Sequence, residues 1–284
     1  MISVVIPTYN RAHVLERAVR SVLRQEEPLE LIVVDDCSDD GTEALLRGIG
    51  DPRLRYERMP ERSGACAARN RGIELSRGEL IAFQDSDDEW LPGKLACQRQ
   101  QLEQSGADLV FCAFEKVAPD GTAAVFPPER VAPGRITYER LLSESLCSTQ
   151  TILGRRACFE AVRFDPTFPR LQDWELMLRM AQRFDVRYFS DVLVRVHEQP
   201  DSISARPEKL LDALHRLRDI HRDAIRRSDL LSAQMAGSLE TANRACGVNP
   251  WRDYCRAVSP RLSPKTNVTF VLKAVRCLLR GAKS

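Results

Sequence analysis

The sequence predicts an α/β chain, with a doubly wound, mostly parallel central sheet, flanking helices and a small C-terminal helical segment. Three observations predict it. Short β-branched runs alternate with segments of helical period through the first hundred residues, an order that builds parallel sheets. Polar residues able to do chemistry fall just after those runs, where open α/β sheets place their ligands. The charge also changes sign along the chain: residues 206–284 hold 16 Lys+Arg against 7 Asp+Glu, whereas residues 1–205 hold 26 against 33. This places one domain at 1–205 and a basic helical segment at 206–284.

ISVVIP reads as the first strand, and Asn10 as cap of a helix whose stripe is Val14, Leu15, Ala18, Val19 and Val22. LELIVVDD is a second strand, and Ser38 or Asp39 caps the helix that follows. RLRYERM, a small-residue helix in SGACAARNRGIELSRG, and ELIAF complete the β-α-β-α-β-α-β run. A polar helix over about 94 to 105 precedes the strand ADLVFCAFEKV, and the stretch from Pro119 to Gly134 reads as a loop. Residues 136–146 read as helix, STQTILGRR as strand, and ACFEAV and the QDWELMLRMAQ segment as helices. VRYFSDVLVRVHE is the last strand. Beyond it Leu210, Leu214, Leu217, His221, Ala224 and Ile225 form one helical stripe, with two or three further helices to follow.

With 284 residues, 43% hydrophobic and 29% charged, the chain can bury a substantial core. Its nine cysteines are scattered singly with no CxxC pair, a pattern of reduced thiols rather than of a disulfide framework or zinc site. The opening MISVVIPTYN has no signal-peptide pattern, and no apolar run reaches the roughly 18–20 residues of a membrane span. The expected location is cytoplasmic. On that expectation the Asn267-Val-Thr269 sequon is a chance match.

Asp85, Asp87, Asp88 and Glu89 crowd together directly after ELIAF. Like charges so close need an offsetting partner, which is solvent, a basic neighbour or a metal ion. The chain has neither GxGxxG after its first strand nor GxxxxGK[ST], so phosphate groups in the crevice would call for another device. A divalent cation held by carboxylates is one.

ISVVIPTYNR, VVDDCSDDGT, GACAARNRGIELSRGELIAFQDSDDEW and LQDWELMLR stand in the order and spacing that resembles the family 2 inverting glycosyltransferases of the GT-A fold. The resemblance covers about residues 1–200. It implies that Pro7 and Tyr9 line a nucleobase pocket, that Asp36 accepts from the base and that Arg69 faces the diphosphate. It identifies Asp85-Ser86-Asp87 with the DXD motif, in which Asp87 holds Mn²⁺ or Mg²⁺ and Asp85 and Ser86 belong to the nucleotide-sugar site. His197 is a further candidate for the cation. Asp173 matches the catalytic aspartate, and one base suffices for direct displacement. Trp174 and Glu175 fall on the acceptor side, with Trp174 alternatively part of the core. Gln172 stands where relatives often carry Glu. By position alone Asp36 and Asp173 also read as helix caps, which for Asp173 would be the commoner case, and Asp88 and Glu89 read as capping or solvated residues.

The implied activity is transfer of a sugar from a nucleotide-diphosphate sugar, with UDP the expected nucleotide, to a glycan or lipid-linked acceptor in bacterial cell-surface polysaccharide, lipopolysaccharide or exopolysaccharide biosynthesis. The rivals are a sugar-phosphate nucleotidyltransferase and a non-catalytic nucleotide-sugar-binding module. PTYNRA lacks the glycine-rich loop of the first rival. Nucleic acid is not an expected partner, since the basic segment lacks interleaved aromatics. In SPKTNVTFVLKAVRCLLRGAKS the apolar positions Val268, Val271, Leu272, Val275, Leu278 and Leu279 are flanked by Lys265, Lys273, Arg276, Arg280 and Lys283. That helix lies on the inner face of an anionic membrane or packs on the body of the protein.

Overall fold

The computed structural model describes residues 1–198 and 206–281. The expected boundary at 205/206 adjoins residues outside the described ones, as do Lys283 and the Arg280 side chain. In chain order the elements begin β1 (Ile2–Thr8), α1 (Ala12–Leu23), β2 (Leu29–Asp35), α2 (Thr42–Ile49), β3 (Leu54–Arg58), α3 (Ala65–Leu75), β4 (Leu80–Phe83) and β5 (Glu89–Trp90). They continue with α4 (Lys94–Ser105), β6 (Leu109–Val117), β7 (Ala123–Phe126), β8 (Gly134–Arg135), α5 (Tyr138–Ser143), a 3₁₀ turn (Thr149–Thr151), β9 (Ile152–Arg155), α6 (Arg156–Ala161), α7 (Gln172–Ala181) and β10 (Val186–His197). The last helices are α8 (Pro207–Ile220), α9 (Arg222–Ile225), α10 (Asp229–Ala245), α11 (Trp251–Ala257) and α12 (Pro264–Gly281). Two compact units result. The first comprises Met1–Tyr138, Leu146–Thr167 and Gln172–Pro200, and the second Glu139–Ser145, Phe168–Leu171 and Asp201–Ser284.

The first unit is built on one sheet in the order β3-β2-β1-β4-β9-β6-β10-β5, with β7 on β6 and β8 on β10. Along that path β9 and β5 run against the rest, so the sheet is mixed but mostly parallel, as the sequence predicts. Every residue of β1 and β2 is buried, which is what strands covered on both faces require. The register runs Ile2↔Leu29 to Thr8↔Asp35 and Ile2↔Leu80 to Val5↔Phe83, so three carboxyl ends share one edge of the sheet. Leu15, Ala18, Val19 and Val22 of α1 are buried in the core, as their spacing predicts. On α3, Gly72 allows a close approach: a Cβ there would lie 2.2 Å from Val5 Cγ1.

Three local expectations differ. Asn10 does not cap α1: it adopts φ 51°, while Asp40 Oδ2 accepts from Ala12 N at 2.8 Å. Nor do Ser38 or Asp39 cap α2, whose N-cap is Gly41, because Asp40 takes both the amide and hydroxyl of Thr42. The expected loop from Pro119 contains β7, whose register Phe114↔Phe126 to Val117↔Ala123 pairs it along β6.

In the second unit, Phe270 and Ala274 of α12 are buried with Tyr254, Leu262 and Ala236. On the opposite side of the same helix, Val268, Val271, Leu272, Val275, Leu278 and Leu279 are each 46% or more exposed. No described helix is long and apolar enough to cross a membrane.

Candidate active site

The loops after β1 and β2 are locked to one another by short polar side chains. Asn10 N donates to Ser38 Oγ and Asp39 N to Asn10 Oδ1, both at 2.9 Å. Asn10 at φ 51° and Cys37 at φ 69° hold left-handed backbone, a conformation that costs free energy and gathers at functional sites. Pro7 is buried at the end of β1 and Tyr9 half-buried just past it, with the Arg62 guanidinium 3.9 Å from the centre of the Tyr9 ring. Asp36 is buried and accepts from Ser63 N at 2.7 Å and Gly64 N at 2.8 Å, which fixes the loop entering α3. Each carboxylate oxygen has a second lone pair, so this role leaves acceptor capacity for a base. Behind it Asp35 accepts from Tyr56 Oη at 2.7 Å, and burial together with this carboxylate pushes the Tyr56 phenol up to about 12.

The acidic run after β4 is divided among distinct tasks. Asp85 Oδ1 accepts from Arg69 Nη2 at 2.7 Å, and Arg69 Nη1 also reaches Gln172 Oε1 at 3.4 Å. Arg69, on α3 and only 6% exposed, therefore ties the end of β4 to the start of α7, reaching Gln172 from 103 residues away in sequence. Ser86 and Asp87 are half-buried, and the Asp87 carbonyl accepts from the Arg17 guanidinium. Asp88 is neither a cap nor solvated. It is buried, with Oδ2 accepting from Gln150 Nε2 at 2.7 Å and Oδ1 from His197 N at 3.0 Å. Burial, then Asp85 and Asp87, drive its carboxyl well above the usual range. It thus pins the end of β10 beside the acidic turn, and that places His197.

Asp173 lies in the first turn of α7, where its Oδ1 accepts from Trp174 N at 2.8 Å. Leu171, two residues earlier, holds φ 61°, a strained entry that turns the chain into the helix. Burial, and next the negative charge of Asp85, raise the Asp173 carboxyl above its ordinary value, against the opposing pull of the Trp174 N–H and Arg69. A carboxylate held with a raised pKa is a better proton acceptor than an exposed one. Glu175 is 3% exposed and grips Arg179 with both oxygens, at 2.5 and 2.6 Å, while Arg179 donates to Arg163 O at 2.7 Å. Trp174 is buried as well, at 6%. The structure thus groups Arg69, Asp85, Gln172 and Asp173, and buries Trp174 and Glu175 in the packing of α7.

Several polar atoms around these strand ends are buried without a hydrogen-bond partner: Thr8 Oγ1, both amide atoms of Gln84, Arg69 Nε and His197 Nε2. Buried polar groups are normally paired, so their concentration here is what a polar ligand would satisfy. His197 Nε2 has Glu89 Oε2 at 3.8 Å, beyond hydrogen-bond reach, and burial depresses the imidazole below its usual pKa, favouring the neutral form a metal requires. Among the described residues no three His, Cys, Asp or Glu side chains form a ready metal cage. A magnesium-like or manganese-like ion takes one or two protein groups and completes its shell with phosphate oxygens and water. Asp87 and His197 fit this donor set, whereas Asp85 is paired with Arg69. Sequence reasoning missed Arg17, Arg62, Gln84 and Gln150. Arg17 and Gln150 lie 60 or more residues from their partners with no local signal, whereas Gln84 is a polar residue ending a buried run and was open to notice.

Residues 3–163, more than half of the chain, match the family described as Glycosyl transferase family 2. TuaG of Bacillus subtilis, named for teichuronic acid biosynthesis, is 35% identical over 158 residues, 54% of this chain and 61% of TuaG. The chain thus spans less than two thirds of that relative. The Escherichia coli UDP-Glc:alpha-D-GlcNAc-diphosphoundecaprenol beta-1,3-glucosyltransferase WfgD is 30% identical over 179 residues, 63% of this chain and 68% of WfgD. Among solved structures, S. aureus TarS 1-349 with UDP-GlcNAc aligns with TM-score 0.70 at 16% identity, covering 99% of this chain and 92% of TarS 1-349. The mannosyltransferase PcManGT from Pyrobaculum calidifontis, solved with GDP-Man and Mn²⁺, aligns with TM-score 0.61 at 18% identity, covering 98% and 86%. At those identities the likeness is one of fold. With the family match spanning the elements that carry Pro7, Asp36, Arg69 and Asp85, the chain belongs to glycosyl transferase family 2.

Proposed function

We propose that this chain is an inverting, metal-dependent glycosyltransferase that moves a sugar from a UDP-sugar to a hydroxyl of a glycan or lipid-linked acceptor in bacterial surface-polysaccharide biosynthesis. The observation that carries the proposal is Arg69, which holds Asp85 and Gln172 together and so brings the acidic turn beside Asp173. The names of TuaG and WfgD support the polysaccharide setting, the lipid-linked acceptor and the UDP donor, and the UDP-GlcNAc bound to TarS agrees with that donor. Asp173 takes the proton of the acceptor hydroxyl as its oxygen bonds to the anomeric carbon. The bond from that carbon to the diphosphate breaks on the opposite face, which inverts the configuration. Pro7, Tyr9 and Asp36 receive the base, and Ser86 and Asp85 lie beside the sugar-nucleotide. A divalent cation held at Asp87 and His197 would offset the charge of the departing diphosphate.

The test is a melting-shift panel. UDP-sugar with Mn²⁺ raises the Tm by preferential binding to the native state, and oligonucleotides do not. Asp87→Ala removes the metal-dependent part of the shift; a shift of wild-type size in that variant would dismiss the metal role.

We further propose that the protein works at the cytoplasmic face of a membrane, docking through the exposed side of α12. Lys265 and Arg276 border the apolar stripe of that helix, the charge pattern that anionic lipid attracts. Vesicles containing phosphatidylglycerol are expected to float the intact protein and to leave Leu272→Glu/Leu279→Glu behind. Both residues are more than 60% exposed, so this variant keeps the packing of α12. Equal flotation of the two proteins would count against the docking face.

A further inference from the structure

We infer that the C-terminal unit carries a second binding site, for a phosphate ester bearing an apolar chain, in the cavity framed by Arg218, Arg222, Arg226 and Arg256. The cavity holds about 340 Å³. That volume is within the ~300–1,000 Å³ of small-ligand sites. Arg218, Arg222 and Arg226 recur every fourth residue along α8, α9 and the turn that follows, and Arg256 comes across from α11.

Two carboxylates also line the cavity, and both are engaged. Asp253 is buried and accepts from Arg218 Nη1 at 2.6 Å and from Asn243 Nδ2 at 2.8 Å, with His215 Nε2 at 3.1 Å. Asp219 Oδ1 accepts from Arg218 Nε at 3.0 Å and stands 3.8 Å from Arg222 Nη2. Arg226 and Arg256 have no carboxylate within ion-pair distance among the described residues, although Arg226 Nη2 donates to the Arg256 carbonyl at 2.9 Å. Two guanidinium groups brought to one cavity from the turn after α9 and from α11, neither in ion-pair contact with a carboxylate among the described residues, form a receptor for an anion. Their planar donors suit phosphate oxygens in particular.

The floor decides what else the ligand must have. Ile225, Met235, Ala236 and Leu239 are each 5% exposed or less and face the same space. An inorganic anion would meet the arginines and leave that floor uncovered, whereas a neutral hydrocarbon would give Arg226 and Arg256 no anionic contact. A prenyl phosphate satisfies both. None of these residues belongs to the active site described above, so the inference goes beyond the glycosyl-transfer reading and does not depend on it.

Calorimetric titration of the full-length protein in EDTA tests it, since chelation removes any metal-dependent diphosphate binding. Geranyl diphosphate is expected to bind at least about tenfold more tightly than inorganic pyrophosphate or geraniol. Arg226→Gln/Arg256→Gln is expected to weaken it about tenfold or more, through loss of charge-assisted hydrogen bonds. That variant keeps its Tm and its UDP-sugar shift. Unchanged affinity in the variant overturns the site. Pyrophosphate binding as tightly as geranyl diphosphate overturns the apolar component, and a phosphoserine peptide outcompeting geranyl diphosphate assigns the cavity to protein ligands instead. A failed UDP-sugar shift beside intact geranyl diphosphate binding would remove the UDP-sugar proposal and leave this one standing.

Discussion

Asp173→Asn is expected to abolish sugar transfer, lowering kcat by about 10²–10⁴-fold, the usual contribution of a positioned general base. Donor binding, read as the UDP-sugar melting shift, should persist, because Asp173 sits on α7 while Pro7, Tyr9 and Asp36 are held by β1 and β2. The same substitution should leave the Tm at pH 7 unchanged or raise it. Burial and Asp85 lift the folded-state pKa of Asp173 above its unfolded value. The folded state therefore binds the extra proton, and the stability Asp173 contributes falls as pH rises through that range. Asparagine still accepts the Trp174 N–H but carries no charge to desolvate. Thermal melts from pH 4 to 8 with paired kcat measurements check both parts; a variant that transfers sugar at the wild-type rate would remove Asp173 from the chemistry.

Arg69→Met should alter both stability and pH dependence. Arg69 is the buried cation between Asp85 and the entrance of α7, and its guanidinium lies 5.3 Å from the centre of the Phe164 ring. Losing one partner of a fully buried pair costs roughly 3–5 kcal/mol; Asp85 retains 26% exposure, so water recovers part of that and about 2 kcal/mol is expected here. The kinetic effect is more specific. Arg69 pulls the Asp173 pKa down while Asp85 pushes it up, so removing Arg69 raises Asp173 further. The base must be ionised to act, and the acid limb of kcat therefore moves to higher pH. Arg69→Met/Asp85→Asn should bring the limb back, since the second change removes the repulsion. A limb in the same place in all three proteins would mean that Asp173 does not feel this cluster.

Much of the candidate site's placement was legible because its residues are punctuated by strand ends. Tyr9, Asp36 and Asp85 each follow a run of buried residues, and position relative to such a run can be read from hydrophobicity alone. Asn10 and Asp88 were not legible. Asn10 stands where a cap belongs, but its side chain pairs with the backbone of Asp39, 29 residues on, and Asp40 serves the helix in its place. Asp88 reads as one more solvated acid in a polar run, yet Gln150 and the backbone of His197 bury it. For both, the deciding partners are distant in sequence. Glu175 is a related case: its pairing with Arg179 follows from helical spacing, but its burial depends on what covers α7.

The sequence alone determined the alternation of strands and helices, the change from an acidic to a basic chain, and which polar loops follow the strand ends. These are properties of local periodicity and charge, and neighbouring residues are enough to express them. Tertiary structure alone decided that Arg69 spans Asp85 and Gln172, that Asp88 is a buried anchor, and that four arginines converge over an apolar floor. Each of those depends on groups far apart in the chain meeting where water is excluded, and there the strength of a charge is set by its surroundings rather than by its neighbours in sequence.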